Sequence, residues 1–252
     1  ASIISRRGDD ADGAELLRQI EEKNVHSNLL QVDKTQATSL VKVKLDRSGS
    51  ASYDIVYPCA WDRIEVEPAA LARVAESDAF IFGSLSTRDE VSRASLAQLL
   101  EQAKFKIFDV NLRPPHYDIE RILATMKLAD LVKLNDDELH EIASTLGSKY
   151  HSLEQNIRFL ADLSGAAKIC VTLGSHGAMY YQEGQIYHNS GFRVKVADTV
   201  GSGDSFLAGL TYKLLNAAAP QEALAFACAL GALVASYHGA TPEISLQQIE
   251  SF

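Results

Sequence analysis

The 252-residue chain has little of what holds a protein together other than a packed core. Its three cysteines, Cys59, Cys170 and Cys228, are odd in number and lack metal-ligand spacing, which excludes a disulfide scaffold and a zinc centre. No apolar run reaches the roughly 18 residues a membrane helix needs, and the opening ASIISRRGDD lacks the basic start and apolar stretch of a signal peptide. A reduced, cytoplasmic protein without a membrane partner is expected. Basic residues number 24 against 33 acidic, a formal charge of -9, and they are dispersed, so no nucleic-acid surface is expected either. What is present is 46% hydrophobic and 23% charged residues, enough to bury a full core.

Periodicity divides the chain. Ala14, Leu17 and Ile20 fall at helical spacing within Ala11–Glu22. Leu40, Val41, Val43 and Leu45, then Tyr53, Ile55 and Tyr57, alternate about a turn at 46–50, which predicts a β-hairpin. From Asp78 onward apolar strands (79–82, 105–109, 131–133, Lys168–Thr172) take turns with amphipathic helices (Glu90–Gln102, 119–127, 136–144, 153–163). That alternation predicts an α/β fold, a mainly parallel sheet with helices on both faces. Further strands are expected at 178–181, 185–188 and 193–197, and closing helices at 205–216 and 221–237. The expected division is one α/β domain from 1–37 and 59–252, with 38–58 as a small β lid.

The strongest local signal is Asp198-Thr199-Val200-Gly201-Ser202-Gly203-Asp204-Ser205-Phe206-Leu207-Ala208-Gly209. Its glycines let successive amides turn toward one point, and a helix N-terminus adds partial positive charge there, so an anion fits. A carboxylate such as Asp204 beside a phosphate suggests a base that takes a proton from an attacking hydroxyl, hence phosphoryl transfer. The alternative is a cap: Asp204 ends the helix and the glycines make the turn. Phe206 stands where a Rossmann loop has its third glycine, and no Gly-Lys-Ser/Thr of a P-loop follows. Asn135 and Glu138, at i and i+3, can face one site or form a capping box. Arg113 follows a strand end and precedes Pro114-Pro115, where a guanidinium can hold an anion or pair with Asp118 or Glu120. Gly174 and Gly177 suit close approach to a ligand or a hairpin turn equally.

Asp198–Gly209 resembles the C-terminal signature of the ribokinase-like (PfkB) sugar kinases. Arg7-Gly8-Asp9-Asp10-Ala11-Asp12-Gly13, Asp109-Val110-Asn111-Leu112-Arg113, Asn135-Asp136-Asp137-Glu138 and Thr172-Leu173-Gly174-Ser175-His176-Gly177 are similar to that family's other segments, in order. Ala60-Trp61-Asp62 and Phe82-Gly83-Ser84-Leu85 look closest to its fructokinase-like branch. The resemblance implies a ribokinase-like fold and transfer of the γ-phosphate of ATP to a sugar hydroxyl. It implies Asp204 as base and Gly201, Ser202 and Gly203 as anion hole. Asn135, Thr172, Gly174, Gly177 and Cys228 fall at nucleotide positions, although Cys228 stands where the family commonly has Asn. Asn111 and Arg113 fall at substrate or phosphate positions. Mg²⁺ is implied at Glu138 through water, K⁺ is admitted near Asp198, and the lid admits a homodimer.

The chain opens in mid-strand at Ser2-Ile3-Ile4-Ser5, after the point where the family carries a sugar-contacting Asp and a Gly-Gly…Asn segment. The expectation is that residues carrying them are absent from this sequence. The rival is a non-catalytic nucleotide-sensing or scaffold paralogue, against which the intact Asp204 constellation stands.

Overall fold

The computed structural model describes residues 1–45 and 51–252. They divide into two compact units, one of residues 1–77 and 85–104, the other of 78–84 and 105–252.

In the first unit β1 (Ser2–Gly8) and β2 (His26–Asp33) pair in parallel through α1 (Ala11–Glu22). Asp10 starts that helix: its carboxylate accepts from Gly13 N at 2.8 Å, Thr38 N at 2.8 Å and Thr38 Oγ1 at 2.6 Å. The predicted hairpin is present as β3 (Val41–Leu45) and β4 (Ala51–Ile55), paired Val41↔Ile55 through Leu45↔Ala51. Its turn at 46–50 lies outside the described residues. Two helices, α2 (Pro68–Glu76) and α3 (Glu90–Gln102), pack on each other. A buried ion pair ties this unit together. Arg88 Nε and Nη2 reach Asp62 Oδ1 and Oδ2 at 2.6 and 2.8 Å, Nη2 also donates to the Val56 carbonyl at 2.8 Å, and the Trp61 ring lies 4.0 Å from the guanidinium.

The second unit holds a six-stranded sheet in the order β10-β9-β8-β7-β6-β5, made of β5 (Phe80–Gly83), β6 (Lys106–Asp109), β7 (Leu131–Asn135), β8 (Lys168–Thr172), β9 (Ala178–Gln182) and β10 (Gln185–Asn189). Strands β5 to β8 are parallel, and the last two are antiparallel. Alternate residues serve opposite faces. Ile107, Leu131, Cys170 and Tyr180 join Phe206, Leu210, Leu224 and Ala227 of α7 (Ser202–Leu215) and α8 (Pro220–Ala235) in one buried cluster. Helices α5 (Asp136–Thr145) and α6 (Leu153–Ser164) pack on β7 and β8, α4 (Ile119–Met126) packs on α6, and α9 (Leu246–Glu250) packs on α8.

Two expectations fail. Residues 193–197 form no strand, because the amides of Ala197 and Asp198 donate to the Ala235 carbonyl at the end of α8 instead of to a sheet neighbour. Helix α7 begins at Ser202, three residues before the predicted start, because Gly201 takes the N-cap position with φ +78°.

Removing one partner of a buried ion pair costs about 3–5 kcal/mol, so Asp62→Ala is expected to lose that much in urea denaturation. The Asp33 carboxylate accepts from Gln36 N, Thr35 N and Thr35 Oγ1, and these bonds lower its pKa to about 2. A lowered acid pKa contributes stability above its unfolded value near 4 and loses it as pH falls through about 2. The melting-temperature deficit of Asp33→Asn is therefore expected to be full at neutral pH and to shrink steadily from about pH 5 to about pH 2.

Candidate active site

The parallel strands bring their carboxyl ends to one edge, where ligands of α/β sheets bind. Register pairs Asp109 with Lys133 and Asn135 with Thr172 across neighbouring strands. The head of α7 belongs to the same unit.

That head is built from its approach loop. Asp198 Oδ1 accepts from Val200 N at 3.0 Å and Oδ2 from Gly239 N at 3.2 Å, and these bonds lower its pKa. A side chain at Gly201 would bring a Cβ within 2.4 Å of the Ala240 carbonyl, so glycine is required by space as well as by its positive φ. Ser202 is turned inward: its amide donates to Thr199 O at 3.2 Å and its hydroxyl to Gly231 O of α8 at 2.9 Å. Among the described residues the amides of Gly201, Gly203 and Asp204 meet no acceptor, and no side chain caps the helix. Asp204 is thus not the cap; it stands exposed in the first turn, and its carboxylate has no hydrogen bond or ion pair among the described residues. Uncapped amides beside a free carboxylate can bind an anion and accept a proton.

Glu138 and Asn135 form the capping box of α5. Asn135 Oδ1 accepts from Glu138 N, and Glu138 Oε2 from Asn135 N, both at 2.8 Å. Glu138 Oε1 accepts from Leu112 N at 2.7 Å as well, so one buried carboxylate joins α5 to the loop after β6. Burial raises its pKa, against the pull of those two amides. On that loop Asn111 has φ +44°, an uncommon conformation for a residue with a side chain, and its carbonyl accepts from Ser84 Oγ at 3.1 Å. Arg113 Nη1 donates to Leu112 O at 2.9 Å; among the described residues it forms no ion pair with Asp118 or Glu120, and its charge acts on Asp109 instead, opposing the rise of that carboxyl's pKa.

The other expected nucleotide residues are spread along the same unit. Thr172 ends β8, and Gly174–His176 form a 3₁₀ turn into β9, with Leu173 N donating to Gly177 O at 2.8 Å. Gly177 packs against the Asn189 carbonyl, so the hairpin itself accounts for it. Cys228 is 6% exposed in the α7–α8 core cluster, and burial pushes its thiol up to about 12.

Sequence reasoning missed the buried pair Lys133–Asp109, Nζ to Oδ1 3.0 Å. The available signal was a lysine inside the otherwise apolar strand Leu131–Asn135. Burial raises the Asp109 pKa, Lys133 opposes that rise, and the charge of Asp204 adds to it. Among the described residues no three His, Cys, Asp or Glu side chains converge as metal ligands, and no helix is long and apolar enough to cross a membrane.

Comparison with known proteins gives one consistent answer. Residues 1–246 match the pfkB family carbohydrate kinase profile. The chain is 30% identical over 260 residues to a fructokinase of Klebsiella pneumoniae, covering 95% of this chain and 81% of the relative. A Xylella fastidiosa fructokinase solved with bound ATP superimposes with a TM-score of 0.84 at 25% identity, over 98% of this chain and 83% of that one. An aminoimidazole riboside kinase from Salmonella enterica, solved with aminoimidazole riboside and an ATP analogue, gives 0.81 at 26% identity, over 99% and 84%. The fold is ribokinase-like, and the chain belongs to the pfkB family of carbohydrate kinases, a fructokinase-like sugar kinase that transfers a phosphoryl group to an alcohol acceptor.

Proposed function

We propose that this chain transfers the γ-phosphoryl group of ATP to a hydroxyl of a ketose or a riboside, with Asp204 as the base and the amides ahead of α7 as the anion hole. The observation that carries this reading is the uncapped head of α7 beside a free carboxylate. Gly201, Gly203 and Asp204 supply the free amides; Ser202 supports them by tying α7 to α8. In the step, the acceptor hydroxyl gives its proton to Asp204 while its oxygen forms a bond to the γ-phosphorus. The bond from that phosphorus to the bridging oxygen breaks, and its electron pair leaves with ADP. The amides meet charge that grows on the phosphoryl oxygens, where fixed donors act most strongly.

The donor set suits a divalent cation that arrives on the phosphates and keeps most of its water. Asn135 and the remaining lone pairs of Glu138 would orient that water, with Mg²⁺ as the expected ion. Carbonyls about Asp198 would serve a K⁺ ion. In the same reading Asn111 and Arg113 face the acceptor and the phosphoryl group, and Thr172, Gly174, Gly177 and Cys228 lie toward the nucleotide. The β3–β4 hairpin would close over the sugar and pair with its counterpart in a homodimer of a cytoplasmic enzyme.

Asp204→Asn is expected to lower kcat by about 10³-fold, while ATP affinity changes less than about threefold. Coupled ADP release with D-fructose, and calorimetric titration with ATP, measure the two. Turnover equal to that of the unmodified chain would refute the role.

A further inference from the structure

Lysine is a poor choice for the middle of a buried strand. Leu131, Val132 and Leu134 around it are fully buried, and Lys133 itself is 8% exposed. Its partner Asp109 sits directly across on β6, at 3.0 Å. Desolvating two charges costs as much as their attraction returns, and an apolar pair of similar volume commonly serves a fold equally well. Stability therefore gives no reason for a charge here.

Position gives one. A Cβ built on Gly203 would lie 3.4 Å from Lys133 Nζ, which among the described residues is the only atom within 4 Å of it apart from the helix's own backbone and the chain neighbours. The ammonium thus lies directly beneath the first turn of α7, where the amides of Gly203 and Asp204 are free. One of its three N–H groups goes to Asp109; the other two have no partner among the described residues. A cation beneath the positive end of a helix is unfavourable by itself and favourable once an anion is bound there.

We propose that Lys133 is a charge-supplying positioning residue of the anion site at the head of α7, held in place by Asp109, and that it steadies the phosphoryl group during transfer. The proposal rests on the reading of α7 given above. Asp109 anchors the ammonium and keeps the pair neutral when no anion is bound.

The test separates charge from packing. Lys133→Met with Asp109→Leu replaces the ion pair by an apolar one. This double variant is expected to melt within about 2 °C of the unmodified chain or above it. It is expected to bind ATP within roughly threefold in calorimetry and to lose about 100-fold in kcat for ADP release with D-fructose. Should it not fold, Lys133→Gln with Asp109→Asn, which keeps a neutral hydrogen bond, carries the same expectation. Asp109→Asn alone retains the ammonium and is expected to keep kcat within about tenfold. A folded double variant with kcat within about threefold of the unmodified chain overturns the proposal, and so does a folded Asp109→Asn variant whose loss is as large as that of the double variant. Full turnover by Asp204→Asn, in contrast, sinks the base assignment on which the proposal rests.

Discussion

The parallel register of β6, β7 and β8 is the constraint on which the site depends. Because the three strands run together, Asp109 faces Lys133 and Asn135 faces Thr172 at one end of the sheet. The segments that follow must therefore start from the same edge. After β6 comes the loop bearing Asn111 and Arg113, after β7 comes α5 with its capping box, and after β8 comes the turn into β9. Glu138 then converts proximity into rigidity. A carboxylate that accepts from the backbone of both Asn135 and Leu112 cannot move without leaving a buried amide unpaired, which costs about 1–3 kcal/mol. The left-handed backbone at Asn111 persists because its surroundings hold it on both sides: Ser84 bonds its carbonyl and Glu138 bonds the next amide.

What the sequence makes legible follows from how locally each feature is specified. Helices α1 and α3 and strand β8 carry their period within themselves, and the predicted bounds agree with the observed ones. Strand β2 does not, because it belongs to a two-stranded sheet with most of its residues partly exposed and so shows neither alternation nor an apolar run. Helix α2 is equally quiet, since two of its buried contacts are made by Ala70 and Val74 in an alanine-rich stretch. Residues 193–197 err in the other direction. Val194 and Val196 alternate as in a strand, yet among the described residues no strand pairs with them, and the amides of Ala197 and Asp198 bond to the end of α8. In the site, the glycines and Asp204 announce themselves by punctuation. The Lys133–Asp109 pair cannot, because its meaning depends on a register between strands more than twenty residues apart in the chain.

These features also show where the energetic burden of the site lies. An acidic residue in the first turn of a helix is favoured by the macrodipole, typically by about 0.3–1 kcal/mol. Asp204 therefore stands where the fold welcomes it, exposed and without strain. The buried charges beneath are a different matter. Asp109, Lys133 and Glu138 are each 7–8% exposed, and burial raises the pKa of both acids, the mark of desolvation that their partners only partly offset. The strain of this site is thus concentrated in the sheet edge and the Asn111 loop rather than in the group that would take the proton. A base that the fold accepts without distortion can be exchanged for Asn with little structural consequence, whereas removing one of the paired buried charges leaves the other uncompensated at a cost in stability. For this reason the chemistry of Asp204 is separable from its structural role by one substitution, and that of Lys133 only by a paired one.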